Sequence, residues 1–351
     1  MNEKYKKMSS DDTGPNTADS SAVSTAQFDR RSLLIGAGIA AGAAVAYPVV
    51  RRLAAQPCPV FLARGQRYDG PLAKTIRDGL ESVGFDSAWI HGRRVLLKPN
   101  LVEPDRSVPH MTTHPAVVVA AAQVFLDWGA KVTVGEAPGH VRDTEMALVE
   151  SHMDDALREA KVDFADLNYE EPCRIVNAGG VSRIQDFSFP RSVAEADLIV
   201  SMPKLKTHHW AGFTASMKNL YGTLPGIVYG WPKNVLHYAG IPQTIVDINA
   251  SLPKVIGIVD GITCMEGDGP IMGTAKSMGL LGIGLTTTSL DATLGRVMGF
   301  DPAKVPYLQL AAGQLGPIDE RNIIERGDLW RDLAEPFAVL DQPHLRKMLV
   351  T

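Results

Sequence analysis

From residue 58 onward the chain alternates short runs of Val, Ile and Leu with longer stretches in which apolar residues recur every three or four positions. The short runs predict strands at Val60–Ala63, Arg94–Leu97, Val132–Gly135, Leu198–Ser201, Val255–Val259 and Leu280–Leu285. The amphipathic stretches predict helices at Ala73–Ser82, Pro115–Trp128, Thr144–Ala160, Ile241–Leu252 and Leu290–Met298. Pro115 suits a first helical position, where its missing N–H is not needed, with Thr113 or His114 as the cap. Asp291 reads as the cap of the helix from Leu290. Near-continuous apolar strands separated by helices predict an α/β fold, a mostly parallel sheet with helices on both faces. Residues 170–190 alternate around Gly179-Gly180 and predict a β-hairpin-like insertion.

Composition narrows the class. Of 351 residues, 45% are hydrophobic and 21% charged, so the chain as a whole is neither disordered nor fibrous. With 35 basic and 39 acidic residues the formal charge is −4, which gives no general attraction to nucleic acid or to an anionic membrane. Three cysteines, Cys58, Cys173 and Cys264, stand about a hundred residues apart, without the close pairs of a zinc or iron–sulfur ligand set.

The N-terminus reads differently from the rest. Residues 1–28 hold few large apolar side chains and are expected not to pack. Residues 29–50 then place Arg30 and Arg31 ahead of an uncharged Ala/Gly-rich run. That order resembles a twin-arginine export signal, which makes the twin-arginine translocase a partner and the destination periplasmic or extracytoplasmic. Ala44-Val45-Ala46 fits a cleavage site, and an uncleaved membrane anchor is the alternative. The run also contains Gly36-Ala37-Gly38-Ile39-Ala40-Ala41, the outline of a dinucleotide-binding turn. It lacks the acidic residue about 20 positions beyond the motif that would hold a ribose.

In open α/β sheets ligands bind beyond the carboxyl ends of the strands, where loops converge. Three predicted strands end there in polar residues: Lys98-Pro99-Asn100, then Met202-Pro203-Lys204-Leu205-Lys206-Thr207-His208-His209, then Asp260-Gly261. Residues 198–246 carry Lys204, Lys206, Lys218, Lys233 and three histidines but no Asp or Glu. Converging lysines suit a carboxylate or phosphate, and a desolvated lysine can lose its proton and act as base or nucleophile. His208 is the general acid–base candidate, and Asn100 and Asn219 are candidates to orient a ligand. His114 reads as a cap or a ligand contact, and Lys233 as a solvated cation. In an extended segment, His208 and His209 point to opposite sides. The region 260–270 reads as a flexible acidic loop, with Asp260, Glu266 and Asp268 able either to hold Mg²⁺ or Ca²⁺ or to pair with the lysines.

Leu96-Leu97-Lys98-Pro99-Asn100, Thr113-His114-Pro115, Met202-Pro203-Lys204-Leu205-Lys206-Thr207-His208, Met217-Lys218-Asn219-Leu220-Tyr221-Gly222, Val259-Asp260-Gly261-Ile262 and Met265-Glu266-Gly267-Asp268-Gly269-Pro270 occur in that order. By these motifs the chain resembles the domain-of-unknown-function 362 family over residues 93–315, leaving 316–351 as a C-terminal extension to a family-like domain at 58–315. The resemblance implies where the site lies and little about its chemistry. Many relatives carry a ferredoxin-like domain with four-cysteine clusters. No such cysteine run occurs here, so an intrinsic iron–sulfur cluster is not expected. Two functions fit these residues. One is an exported enzyme on a small anion, with Lys98, Lys204 and Lys206 holding it and His208 moving a proton. The other is a carrier of an anionic cofactor or metal centre for a redox partner protein. A nucleic-acid role is disfavoured by the charge and the export signal.

Overall fold

A computed structural model of the chain describes residues 57–103, 105–140 and 142–350. The export-signal reading, Arg30 and Arg31 included, lies outside them. The strands are β1 (Cys58–Ala63), β2 (Arg94–Pro99), β3 (Lys131–Glu136), β4 (Asp163–Asp166), β5 (Pro172–Val176), β6 (Asp186–Pro190), β7 (Leu198–Met202), β8 (Lys204–His208), β9 (Gly212–Thr214), β10 (Val255–Glu266), β11 (Thr274–Gly284) and β12 (Ile323–Gly327). The main sheet runs β12-β1-β11-β10-β7-β2-β3-β4, with β8 paired to β10 and β9 to β8. From β10 to β4 every neighbour is parallel, while β11 is antiparallel to both β10 and β1. β5 and β6 form the expected antiparallel hairpin.

The longer helices are α1 (Leu72–Ser82), α2 (Pro115–Asp127), α3 (Thr144–Glu150), α4 (Met153–Ala160), α5 (Ile241–Ser251) and α6 (Thr287–Val297). Side chains alternate along a strand, so a strand apolar at every position feeds two cores. Val95 and Leu97 of β2, with Leu198 and Val200 of β7, pack against α1 and α2, burying Ile76, Leu80, Val118 and Phe125. Leu96 and Ile199 face the other way, into the core with Ile245 and Val246 of α5 and Leu290 and Leu294 of α6. A fully buried Leu, Ile or Phe contributes about 1.5–3 kcal/mol, so these two layers dominate the stability of the α/β sandwich.

Local departures from the sequence reading have identifiable causes. The helix expected over 144–160 is two helices, broken at His152, which adopts a left-handed φ of 59°. Of the region 260–270 read as an acidic loop, the part up to Glu266 is the second half of the long strand β10. Its polar residues fit because β11 pairs along one edge and β8 along the other. Pro203 separates β7 from β8, and the strand resumes one residue later beside β10. The last segment, read as an extension, supplies β12 beside β1 and buries Phe337, Leu345 and Met348 in the core that holds Phe300. Among the described residues no helix is long and apolar enough to cross a membrane.

Candidate functional site

The carboxyl ends of β2, β3 and β8 open into one cavity of about 180 Å³. β2 delivers Lys98 and Asn100, β3 ends in Glu136, and β8 brings Lys206 and His208. The turn after β8 adds His209 and Trp210, and a short helical turn, Ser216–Asn219, adds Lys218 and Asn219. His140, Thr214, Tyr221, Lys233 and His237 complete the polar lining. Four lysines and four histidines thus face a space in which Glu136 is the one carboxylate among the described lining residues.

Lys98 is the neutralised member. Its ammonium donates to Glu136 Oε2 at 2.6 Å and to Asn219 Oδ1 at 2.9 Å, all three side chains being buried. Burial pulls the Lys98 pKa down and Glu136 opposes that shift. Gly222 lies so close to this pair that a Cβ there would strike Glu136 Oε1 and Lys98 Nζ, so any side chain at 222 would displace the ion pair. Removing one partner of a buried ion pair costs about 3–5 kcal/mol, which makes this contact a structural floor to the cavity.

Lys206 and Lys218 have no carboxylate partner among the described residues. Lys206, 1% exposed, donates to the Met111 carbonyl at 2.8 Å. Burial, with Lys218, Lys204 and Lys98 nearby, holds its pKa well below the ordinary lysine value. Lys218 Nζ sits 3.9 Å from the centre of the Tyr221 ring, and burial, then Lys98, bring it to about 7. Lys233, read as a solvated cation, is instead 3% exposed: it donates to the carbonyls of Ala137 and Leu224, and burial lowers it to about 7. Its backbone adopts a left-handed φ of 66° at the start of a short helix, Asn234–Tyr238.

His208 accepts through Nδ1 from the backbone N–H groups of Trp210 (3.1 Å) and Ala211 (3.4 Å). A nitrogen that accepts carries no proton, so the ring is neutral with its hydrogen on Nε2. Burial, then Lys218, pushes its pKa well below the usual value, in agreement with that tautomer. His208 is therefore a hydrogen-bond donor rather than a cation at neutral pH. His237 is lowered to about 4 by burial and by Lys218, and His140 is lowered by burial. Both His208 and His209 line the cavity, against the extended-strand expectation, because β8 ends at His208 and the chain turns immediately.

Lys204 lies outside the cavity lining, in a compensated cluster. It donates to Asp260 Oδ2 at 2.6 Å and to Tyr68 Oη at 2.8 Å. Burial opposes its charge, but Asp260 and Tyr68 outweigh it and hold the ammonium above its ordinary value. His114 stacks on Tyr68 at 3.7 Å, donates its backbone N–H to Asp260, and caps α2 by accepting from Ala116 N through Nδ1. The three carboxylates read as a metal set do not meet. Asp260 is taken by Lys204, Glu266 by Lys276 and the Ala338 N–H, and Asp268 stands 4.0 Å from His209. Among the described residues no group of three His, Cys, Asp or Glu could hold a metal ion. Asp291 also changes place: α6 begins at Thr287, so Asp291 lies inside it and accepts from the Ser216 and Met217 N–H groups (2.7 and 2.9 Å). It caps the turn that carries Lys218 and Asn219, and burial pushes its carboxyl up to about 7.

The profile of a domain of unknown function, DUF362, matches residues 95–295. The chain belongs to the DUF362 family. Lys98, Asn100, Glu136, Lys206, His208, Lys218, Asn219, Lys233 and His237 all fall within the DUF362 match. Thylakoid-associated protein sll1697 of Synechocystis sp. is 29% identical over 258 residues, covering 71% of this chain and 77% of its own. The lactate racemase apoprotein of Thermoanaerobacterium thermosaccharolyticum overlays 70% of this DUF362 chain at 14% identity with a TM-score of 0.37. The chain spans about half, 53%, of that racemase, and so distant a likeness says nothing about the site.

Proposed function

We propose that this DUF362 protein binds a small anionic compound in the cavity and acts on it by proton transfer. The support is one observation: Lys206 and Lys218 face the cavity with no carboxylate to neutralise them among the described residues. A carboxylate or phosphate would supply the missing charge, and the amines would take up protons as it entered. Lys98 and Asn219 form the floor, and His208 donates its Nε2 hydrogen to the ligand. An amine with a pKa near 7 is suited to give or take a proton at neutral pH, which assigns the acid–base role to Lys218 rather than to His208. Asn100 orients the bound molecule, while Lys204 and His114 hold the wall in place.

Binding to the folded state raises the melting temperature by ligand linkage, so thermal shifts with citrate and with inorganic phosphate read the site directly. Both should stabilise the wild-type protein, and Lys206→Met with Lys218→Met should abolish the shift. A shift of wild-type size in that double variant would place the anion elsewhere.

A further inference from the structure

A second hollow lies outside the cavity, and its lining has the opposite character. It measures about 500 Å³, is open to solvent, and includes Tyr238, Ile241, Pro242 and His344 together with Trp210 and His237. No Asp, Glu, Lys or Arg stands among its described lining residues. Tyr238 is 93% exposed and Trp210 53%, so both rings are open to a ligand group. Large aromatic side chains left in water on one concave surface mark a place where apolar groups bind. His344 ties the hollow to the turn after β8, its Nε2 donating to the His209 carbonyl at 2.7 Å.

The hollow adjoins the mouth of the cavity. Among the described residues lining the cavity, Trp210 and His140 are exposed, and His209 and His237 are half-buried. Lys98, Lys206 and Lys233 are exposed by 3% or less. The lysines are therefore deep, and the mouth opens among Trp210 and the histidines. Trp210 and His237 belong to both linings, their rings edge to face with centroids 5.3 Å apart. A ligand with its charge among the lysines projects its remainder out past this pair.

We infer that the anion taken by the cavity is amphiphilic: its carboxylate or phosphate sits among the lysines, and an apolar group on it leaves through the mouth and packs on Trp210 and Tyr238 in the outer hollow. The inference rests on the anion-binding reading and adds the substrate class to it. His237 is uncharged at neutral pH, so covering it with apolar surface desolvates no ion. An aromatic group gains most, since it can stack on the rings already there.

Isothermal titration calorimetry of acetate, butyrate and hexanoate against phenylacetate, phenylbutyrate and phenylhexanoate tests this, with citrate as the anion that has no apolar arm. At least one phenyl compound should bind the wild-type protein about tenfold more tightly than its parent acid, the scale of burying part of one ring. Citrate should displace that compound competitively. Tyr238→Ala, at an exposed side chain on which the fold does not depend, should cut the phenyl advantage below about threefold. No phenyl advantage at any length, with citrate still bound, overturns the apolar arm and leaves the anion site standing. A phenyl compound that binds together with citrate overturns the spanning ligand. An advantage that survives in Tyr238→Ala overturns the hollow as its seat. Failure of citrate and of every acid to bind overturns the anion reading and this inference together.

Discussion

Lys204 and Lys206 stand two residues apart on one strand, and both are buried at 1% exposure or less. Lys204 has a carboxylate at 2.6 Å and a phenol at 2.8 Å, and its charge is held firmly. Lys206 donates to one carbonyl and has three other lysines as well as Glu136 in its field, and burial holds its pKa well below the ordinary lysine value. The same residue type, at the same depth, is a structural ion pair in one place and an open electrostatic demand in the other. What separates them is the partner: β10 sets Asp260 opposite Lys204, whereas opposite Lys206 it sets Met265. Burial alone therefore does not mark a functional lysine; the missing counter-charge does.

Substitution breaks the comparison most forcefully. Lys204→Met strands Asp260 without its cation and should lower unfolding stability by about 3–5 kcal/mol, read by urea denaturation. Lys206→Met removes an uncompensated buried amine and should be neutral or stabilising. Equal losses in the two variants would mean that Lys206 has a counter-charge after all.

A smaller effect is expected at Asp291, which holds the turn bearing Lys218 and Asn219. Asp291→Asn keeps one acceptor for the two N–H groups, and loss of a cap costs about 0.5–2 kcal/mol. The pH dependence gives the second readout. The folded carboxyl titrates near 7 against an ordinary 3.8, so the folded state holds more protons than the unfolded across that interval. Its contribution is full below pH 3.8 and is lost as pH rises through about 7. Denaturation measured across that range should show a shallower decline in Asp291→Asn than in the wild type, together with weaker citrate binding. An unchanged decline would remove Asp291 from this role.

Much of this architecture was legible in the chain. Strands with consecutive apolar residues, such as Leu198–Val200, point to a sheet covered on both faces, and the two cores bear that out. The rule that ligands collect at carboxyl strand ends located Lys98, Lys206 and His208. It applied equally to Glu136, at the end of β3, which the reading passed over. Lys233, His140 and His237 had no such signal: His140 reaches the cavity from a loop, and Lys233 and His237 from the start and body of a short helix, Asn234–Tyr238. The split between Lys204 and Lys206 was also hidden, since it depends on cross-strand register. The register that pairs Lys204 with Asp260 shifts before Lys206, and no local pattern in either strand announces that shift.

The central claim is that the cavity's amines lack their counter-charge and gain it from the ligand. Lys218 and Lys233 titrate near 7 in the folded protein against an ordinary 10.5. Between those values the unfolded chain holds more protons, so wild-type stability should rise with pH while anion affinity falls. Calorimetry of citrate binding at about pH 8, repeated in buffers of different ionisation enthalpy, counts the protons exchanged. The account predicts net proton uptake on anion binding in the wild-type protein, reduced in Lys218→Met. Binding with no proton uptake in the wild-type protein would contradict it.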